Sequence, residues 1–306
     1  MNDLGNDHGN DLGALKAEIA TLEAEAAAYG GRHQFIDDYH PPAEYKVAVN
    51  FTCDFDAMLL RRVLNETPMQ FARGEFGGRV GMWRLIDLFD SHDVKATFFT
   101  PGRICELYPK AVLAAHAAGH EVADHMWEHR VPKEPEIEAA HIAKSTEALT
   151  KLLGRPPAGS RSRHNVKLLA DAGYIYSSHG SAHHMPHYIT DPSGAATMLN
   201  LPFHYAIDDA MFFSFAWQGS ANEAQRISEP GRVLEMWWDA FEWQYQLGGY
   251  LNICLHPFVS GRALRIEMLD KLITRMKTKP GVWFPTSEAV ARHCLEAYPP
   301  SAGGEG

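Results

Sequence analysis

From residue 46 onward the chain alternates short apolar runs with longer stretches in which apolar residues recur every three or four positions. KVAVNFTCDF alternates apolar and polar residues and predicts a strand. RVGMWRLIDLFDSHD has helical apolar spacing, and KATFFTPG is a short β-branched and aromatic run that Pro-Gly ends. The same alternation then repeats. YPKAVLAAHAAG predicts a helix closed by glycine, HEVADH a strand, and PEIEAAHIAKSTEALTKLLG a helix with the same glycine stop. LLADAGYIYSS, MLNLPFHY, a long helix in EPGRVLEMWWDAFEWQYQLGG, the strand YLNICLHPF and the helix ALRIEMLDKLITRMK continue it. Strands separated by helices of this length predict an α/β fold with parallel strands. With no GxGxxG or GKS/GKT loop, a (β/α) TIM-like barrel is favoured over a nucleotide-binding sheet. Ahead of it, residues 1–12 read as disordered, and GALKAEIATLEAEAAAYG has the composition of a helix, expected to lie on the main body.

The chain has 306 residues, enough for one large barrel or two domains. It shows no fixed-period repeat and no linker, so the expectation is a single domain. Residues 1–44 form the N-terminal extension, 45–298 the barrel and 299–306 a flexible tail. A formal net charge of −10 argues against nucleic acid or an anionic membrane as partner, since such binders need clustered Lys and Arg. Small neutral substrates remain open. Cys53, Cys105, Cys254 and Cys294 are far apart, without CxxC spacing; Cys53 and Cys254 lie in apolar runs and read as buried thiols. The N-terminus lacks the basic flank and apolar run of a signal peptide, and no stretch approaches the ~20 apolar residues that span a bilayer, so a cytoplasmic location is expected.

Seventeen histidines are the unusual feature of the composition. Barrel enzymes place their chemistry at the carboxyl ends of strands, and Asp54, Asp56, His125, Arg161 and His256 each close a strand-like run. Side chains two apart on a strand share a face, so Asp54 and Asp56 project into one space, where two carboxylates repel unless a cation or partner relieves them. In DHMWEH, His125 and His129 are four apart, a spacing that in a helical turn brings both imidazoles to one side. One carboxylate and two imidazoles with an open position make a catalytic metal set. Either motif alone is weak. Their occurrence together at successive strand ends is the stronger sign.

DFDA, DHMWEH, the GSRS stretch around Arg161 and LHPFVSGR resemble, in order, the motifs of the polysaccharide deacetylase superfamily, of the NodB-homology or carbohydrate esterase family 4 type. GEFGGRVGMWRLIDLF, LPFHYAIDDAMFF and HPFVSGR resemble its branch of cofactor-free allantoinases, cyclic imide hydrolases and peptidoglycan-deacetylase-like proteins. The likeness covers roughly residues 45–290 and implies a distorted form of that barrel. It implies that Asp56, His125 and His129 bind a divalent metal, zinc first, although cobalt, manganese or nickel suit the same donors. It implies Asp54 as general base, His256 as general acid, Arg161 as the partner that orients Asp54, and Asp208 or Asp209 as support for His256. The implied activity is metal-dependent hydrolysis of non-peptide carbon–nitrogen amide bonds in a small amide, an imide or an N-acetyl sugar, by a homo-oligomer of tetrameric type. Two alternatives stand beside it: a non-catalytic binding barrel, and a metal-free hydrolase of a cyclic ureide or imide.

The chain also departs from the family pattern. Arg161-Ser162-Arg163-His164 stands where relatives read Arg-x-Pro, and Tyr176-Ser177-Ser178-His179 where they often read Tyr-Asp-Ser-Ser. Arg163 and His164, with Glu75, Arg79 and Arg84 after the first strand, are candidates for the substrate side. His183, His184 and His187 mark a substrate-lining or surface loop, with a second metal site as the alternative. Trp237, Trp238 and Trp243 read as core or subunit interface.

Overall fold

A computed structural model describes residues 7–30, 32–63, 68–180, 183–213 and 228–300. Among the described residues ten strands form one sheet: β1 (Arg32–Phe35), β2 (Val47–Asp54), β3 (Ala96–Thr100), β4 (Glu121–Asp124), β5 (Gly159–Ser160), β6 (Tyr176–Ser177), β7 (His187–Thr190), β8 (Thr197–Asn200), β9 (Tyr250–Leu255) and β10 (Val282–Trp283). The order is β1-β7-β8-β6-β5-β4-β3-β2-β10, with β9 on β2. From β9 through β2 to β6 and β8 every pairing is parallel, while β7 and β1 add an antiparallel margin. The sheet curls into an incompletely closed barrel, the expected distorted (β/α) architecture. Across the gap between β8 and β9, Asp208 makes a single parallel bridge to Cys254.

Strand period explains which residues look inward. On β2, Val49, Phe51 and Cys53 join the apolar layer beneath the helices. Asn50, Thr52 and Asp54 take the opposite face. On β9, Leu251, Ile253 and Leu255 pack outward in the same layer. Asn252 and Cys254 face in, and Thr52 donates to Asn252 at 2.9 Å. The barrel interior is therefore a polar column, each level hydrogen-bonded to the next, so that its buried groups avoid the cost of lost solvation. Tyr250 donates to Asn50 at 3.1 Å, and Tyr176 to Glu121 at 2.7 Å. Outside, the helices Met82–Ser91, Pro109–Ala117, Pro230–Leu247 and Ala263–Lys277 cover the sheet. The glycine stop read at Gly154 (φ 77°) is a left-handed cap on the helix Pro135–Leu153, and Gly248 (φ 76°) caps the helix Pro230–Leu247 in the same way.

The N-terminal extension differs from expectation. Its helix runs Asp7–Gly30, so residues 7–12 are helical, while residues 1–6 lie outside the described residues. Leu12, Leu15, Ile19 and Leu22 are each about half exposed, so the helix does not bury its apolar face on the barrel. The sequence reading also missed β1, which pairs with β7. Of the tail, residues 301–306 lie outside the described residues. Trp237 and Trp238 are core residues, whereas Trp243 is 62% exposed. All four cysteines are free and buried. No helix among the described residues is long and apolar enough to cross a membrane.

Candidate active site

Four strand ends deliver most of the site. Asp54 is the last residue of β2, and Asp56 follows it in a loop that turns at Ala57 (φ 45°). His125 follows β4, Arg161 follows β5, and His256 follows β9. The segment Asp208–Asp209 arrives across the barrel gap. These residues, some two hundred positions apart in the chain, converge on one buried cluster.

At its centre, the Asp56 Oδ1 lies 3.3 Å from His125 Nε2 and 3.5 Å from His129 Nε2. All three donor atoms fall within 4.8 Å of one another. The two histidines do not meet through a helical turn, as their spacing had predicted. Left-handed backbone at Met126 (φ 68°) and His129 (φ 58°) folds the segment back, and the rings sit edge to face at 4.8 Å. Asp124 holds this turn, a role that sequence reasoning missed. Its carboxylate accepts from the Met126 N–H at 3.2 Å, from Ser160 Oγ at 2.5 Å and from Ser145 Oγ. The signal was present in DHMWEH itself, as an acid closing a strand one residue before His125.

These residues fit a divalent cation. Both Asp56 oxygens and His125 Nε2 are buried without a hydrogen-bond partner. A native core rarely leaves three such atoms orphaned, and one oxygen with two imidazole nitrogens is a donor set for zinc and its neighbours. His125 Nδ1 is bonded to the Arg161 carbonyl, which fixes Nδ1 as the protonated nitrogen and leaves Nε2 with a free lone pair. Burial alone would raise the Asp56 carboxyl. The neighbouring His129 and His125 outweigh it and hold the group well below the usual carboxylate range.

Asp54 stands between the metal donors and His256, with Oδ2 3.8 Å from His125 Nε2. Its Oδ1 accepts from Arg161 Nη1 at 2.7 Å, and its Oδ2 lies 3.9 Å from His256 Nε2. Arg161 is fixed on every side: its guanidinium reaches Thr52 Oγ1 at 2.9 Å and Ser178 Oγ at 3.1 Å. Its plane lies between the rings of Phe99 (4.2 Å) and Phe203 (4.6 Å). Cys254 Sγ adds a contact to Nη1 at 3.2 Å that sequence reasoning did not single out. Burial pushes the Cys254 thiol well up, so it stays neutral beside this charge pair.

His256 is held by Asp209. Nδ1 lies 2.7 Å from Asp209 Oδ1, and the His256 N–H donates to Oδ2 at 2.9 Å. Asp208 stands farther off, at 3.8 Å from Nδ1. Burial disfavours the charged ring, but Asp209, with Asp208 and Asp54 behind it, overrides this and raises the imidazole to about 10. Asp208 itself is raised to about 7, first by burial and then by Asp209, against the pull of His256.

The remaining expected residues lie around this centre. Glu75 is bonded to Tyr108 Oη and Arg79, and the Tyr108 ring packs on Phe55, between the two aspartates, at 6.0 Å. That puts Glu75 one side chain behind the site and leaves Arg79 exposed. Arg163 is exposed, while His164 is buried with Nδ1 3.0 Å from Glu138. Arg84 donates to the Gly261 carbonyl at 3.1 Å. His183 stacks on His184 at 5.1 Å, and His33 approaches His187 at 5.2 Å. Among the described residues these rings do not form a metal-binding trio.

The Polysaccharide deacetylase family profile matches residues 75–177. A peptidoglycan deacetylase from Helicobacter pylori is 28% identical over 267 residues, covering 76% of this chain and 90% of the relative. A Mycobacterium smegmatis crystal structure that bears the polysaccharide deacetylase name superimposes with a TM-score of 0.78 at 25% identity, over 90% of this chain and 100% of that one. In sequence and in fold the chain is similar to the polysaccharide deacetylases. The fold is shared by Puue allantoinase, with a TM-score of 0.75 at 22% identity over 86% of this chain and 95% of that chain.

Proposed function

We propose that this protein is a metal-dependent deacetylase that hydrolyses the acetamido group of an N-acetylated amino sugar. The observation that carries the reading is the division of one buried cluster into two halves. Asp56 and His125 offer orphaned metal donors with His129 Nε2 3.5 Å from Asp56, and Asp54 and His256 stand 3.9 Å apart beside them with their own partners, Arg161 and Asp209. When bound, a divalent cation supplies a Lewis acid that polarises the acetamido carbonyl and acidifies water.

The chain's own groups do the rest. Asp54, oriented by Arg161, accepts the proton of the attacking water at Oδ2. The amine is a poor leaving group and must be protonated as the C–N bond breaks. His256, kept protonated at neutral pH by Asp209, delivers that proton from Nε2. Asp209 takes no proton and holds the ring's orientation and tautomer. The Phe99–Arg161–Phe203 stack fixes the guanidinium that holds Asp54 Oδ1.

The substrate class rests on the relatives' names, and acetate release from N-acetylated chito-oligomers, measured with zinc, cobalt or manganese added, tests it. Ring opening of allantoin, hydantoin and succinimide is assayed beside it. Acetate release with no ring opening is the expected result. Ring opening alone would assign the site to cyclic ureides or imides. No turnover of either class, with one metal bound per chain, would make this a binding barrel.

A further inference from the structure

The His256 loop rests on an unusual surface. After the helix Pro68–Phe76 the backbone widens into a π-turn, Gly77–Gly81, before the helix Met82–Ser91 resumes. Such widenings are rare and collect at functional sites. Gly77, Gly78 and Gly81 are all buried. Gly81 has ordinary right-handed helical backbone (φ −62°, ψ −41°), so conformation does not call for glycine there. Space does: a Cβ on Gly81 would overlap the carbonyl oxygen of Pro257 and lie 2.7 Å from its carbonyl carbon. A Cβ on Gly77 would lie 3.1 Å from both N and Cβ of Phe258. From the opposite side, a Cβ on Gly261 would overlap the Cα of Gly81.

Pro257–Ser260 is one helical turn whose N-cap is His256. Its far end is tied down by the Arg84 bond to the Gly261 carbonyl, and its Ser260 hydroxyl donates to Asp209 at 2.5 Å. We propose that the glycine face of the π-turn, Gly77 and Gly81, is a seat that sets the position of the His256 turn, with Gly81 and Gly261 as positioning residues for proton delivery. A methyl group at position 81 lifts the turn through Pro257, and His256 is the residue directly attached. Its 2.7 Å bond to Asp209 is the contact that such a shift breaks.

The inference rests on His256 as the proton donor, and the experiment separates the two ideas. Gly81→Ala, in a helix interior, would by propensity alone be neutral or stabilising. The first readout is the downfield proton resonance of His256 Nδ1–H in the metal-free protein, assigned by its loss in Asp209→Asn. A folded Gly81→Ala should lose or markedly shift it, and an unchanged resonance overturns the seat. If Gly81→Ala does not fold, Gly77→Ala, with its milder 3.1 Å contact, takes its place and should shift the resonance by less.

The second readout compares an amide, tetraacetylchitotetraose, with 4-nitrophenyl acetate, whose leaving group needs no proton. Gly81→Ala should lower amide turnover about tenfold or more, with ester turnover and bound zinc near wild type. Equal losses on both substrates, or none, overturn the seat. His256→Ala that keeps amide turnover instead overturns the donor role and leaves the resonance result standing.

Discussion

Removing the charge of Asp209 should change the titration of His256 more than any other single substitution. The imidazole is raised to about 10 from an ordinary 6.5. At ~1.36 kcal/mol per pH unit this is roughly 5 kcal/mol of preference for the protonated ring. Asp209 is the largest favourable contributor, at 2.7 Å and fully buried, with Asp208 at 3.8 Å and Asp54 at 3.9 Å supplying the remainder. Asp209→Asn should therefore lower the midpoint by on the order of 2 pH units, and burial, no longer outweighed, favours the neutral ring. The assay is an NMR titration of the His256 ring in metal-free protein, with Asp209→Asn beside wild type. The wild-type ring should remain protonated through pH 8, and the variant should deprotonate between about pH 7 and 8. The amide turnover of the variant relative to wild type should then fall as pH rises from 6 to 9, because the lost species is the protonated donor. A variant midpoint within about half a unit of wild type would refute the assignment of the raised value to Asp209.

Asp54→Asn should abolish amide turnover, by about a hundredfold or more, while zinc content stays near one per chain; His125→Ala should instead lower zinc content, as read by elemental analysis. Arg161→Met strands the buried Asp54 carboxylate and should cost ~3–5 kcal/mol in urea unfolding, with Asp54→Asn on top recovering part of the loss; an additive double variant would deny the pairing. Stability of the metal-free protein should fall as pH rises. The raised His256 contributes fully below pH 6.5 and loses that contribution as pH passes through about 10, and the raised Asp208 contributes below its ordinary value of 3.8 and loses that by about 7. Thermal unfolding from pH 6 to 10 checks the sign, and Asp209→Asn should flatten the profile.

The convergence of Asp54, Asp56, His125, Arg161 and His256 was legible because strand-end position and period-2 alternation are properties of the chain itself. What lay beyond them depended on third dimensions that a linear pattern does not carry. DHMWEH brings its two histidines together by a geometry other than the helical turn expected, since left-handed backbone at two non-glycine residues leaves no mark in the sequence. Asp209 was separable from Asp208 only once coordinates showed which carboxylate faces His256 Nδ1. Arg84 reads as a charge near a pocket, yet it ties down the turn behind His256. β1 was missed because RHQF has no apolar alternation and gains its pairing from β7.

The inward column on β2 and β9 binds the chemistry to the architecture. Asn50 and Thr52 on one strand, with Tyr250 and Asn252 on the other, stand on the same face as Asp54, Cys254 and His256. Deleting a single residue within either strand would turn the whole set toward the helices and put valine, phenylalanine and isoleucine in the cavity. Divergence of this enzyme toward new substrates is thus channelled into the rim loops, where lengths can drift, while the catalytic apparatus stays bound to the reading frame of two strands.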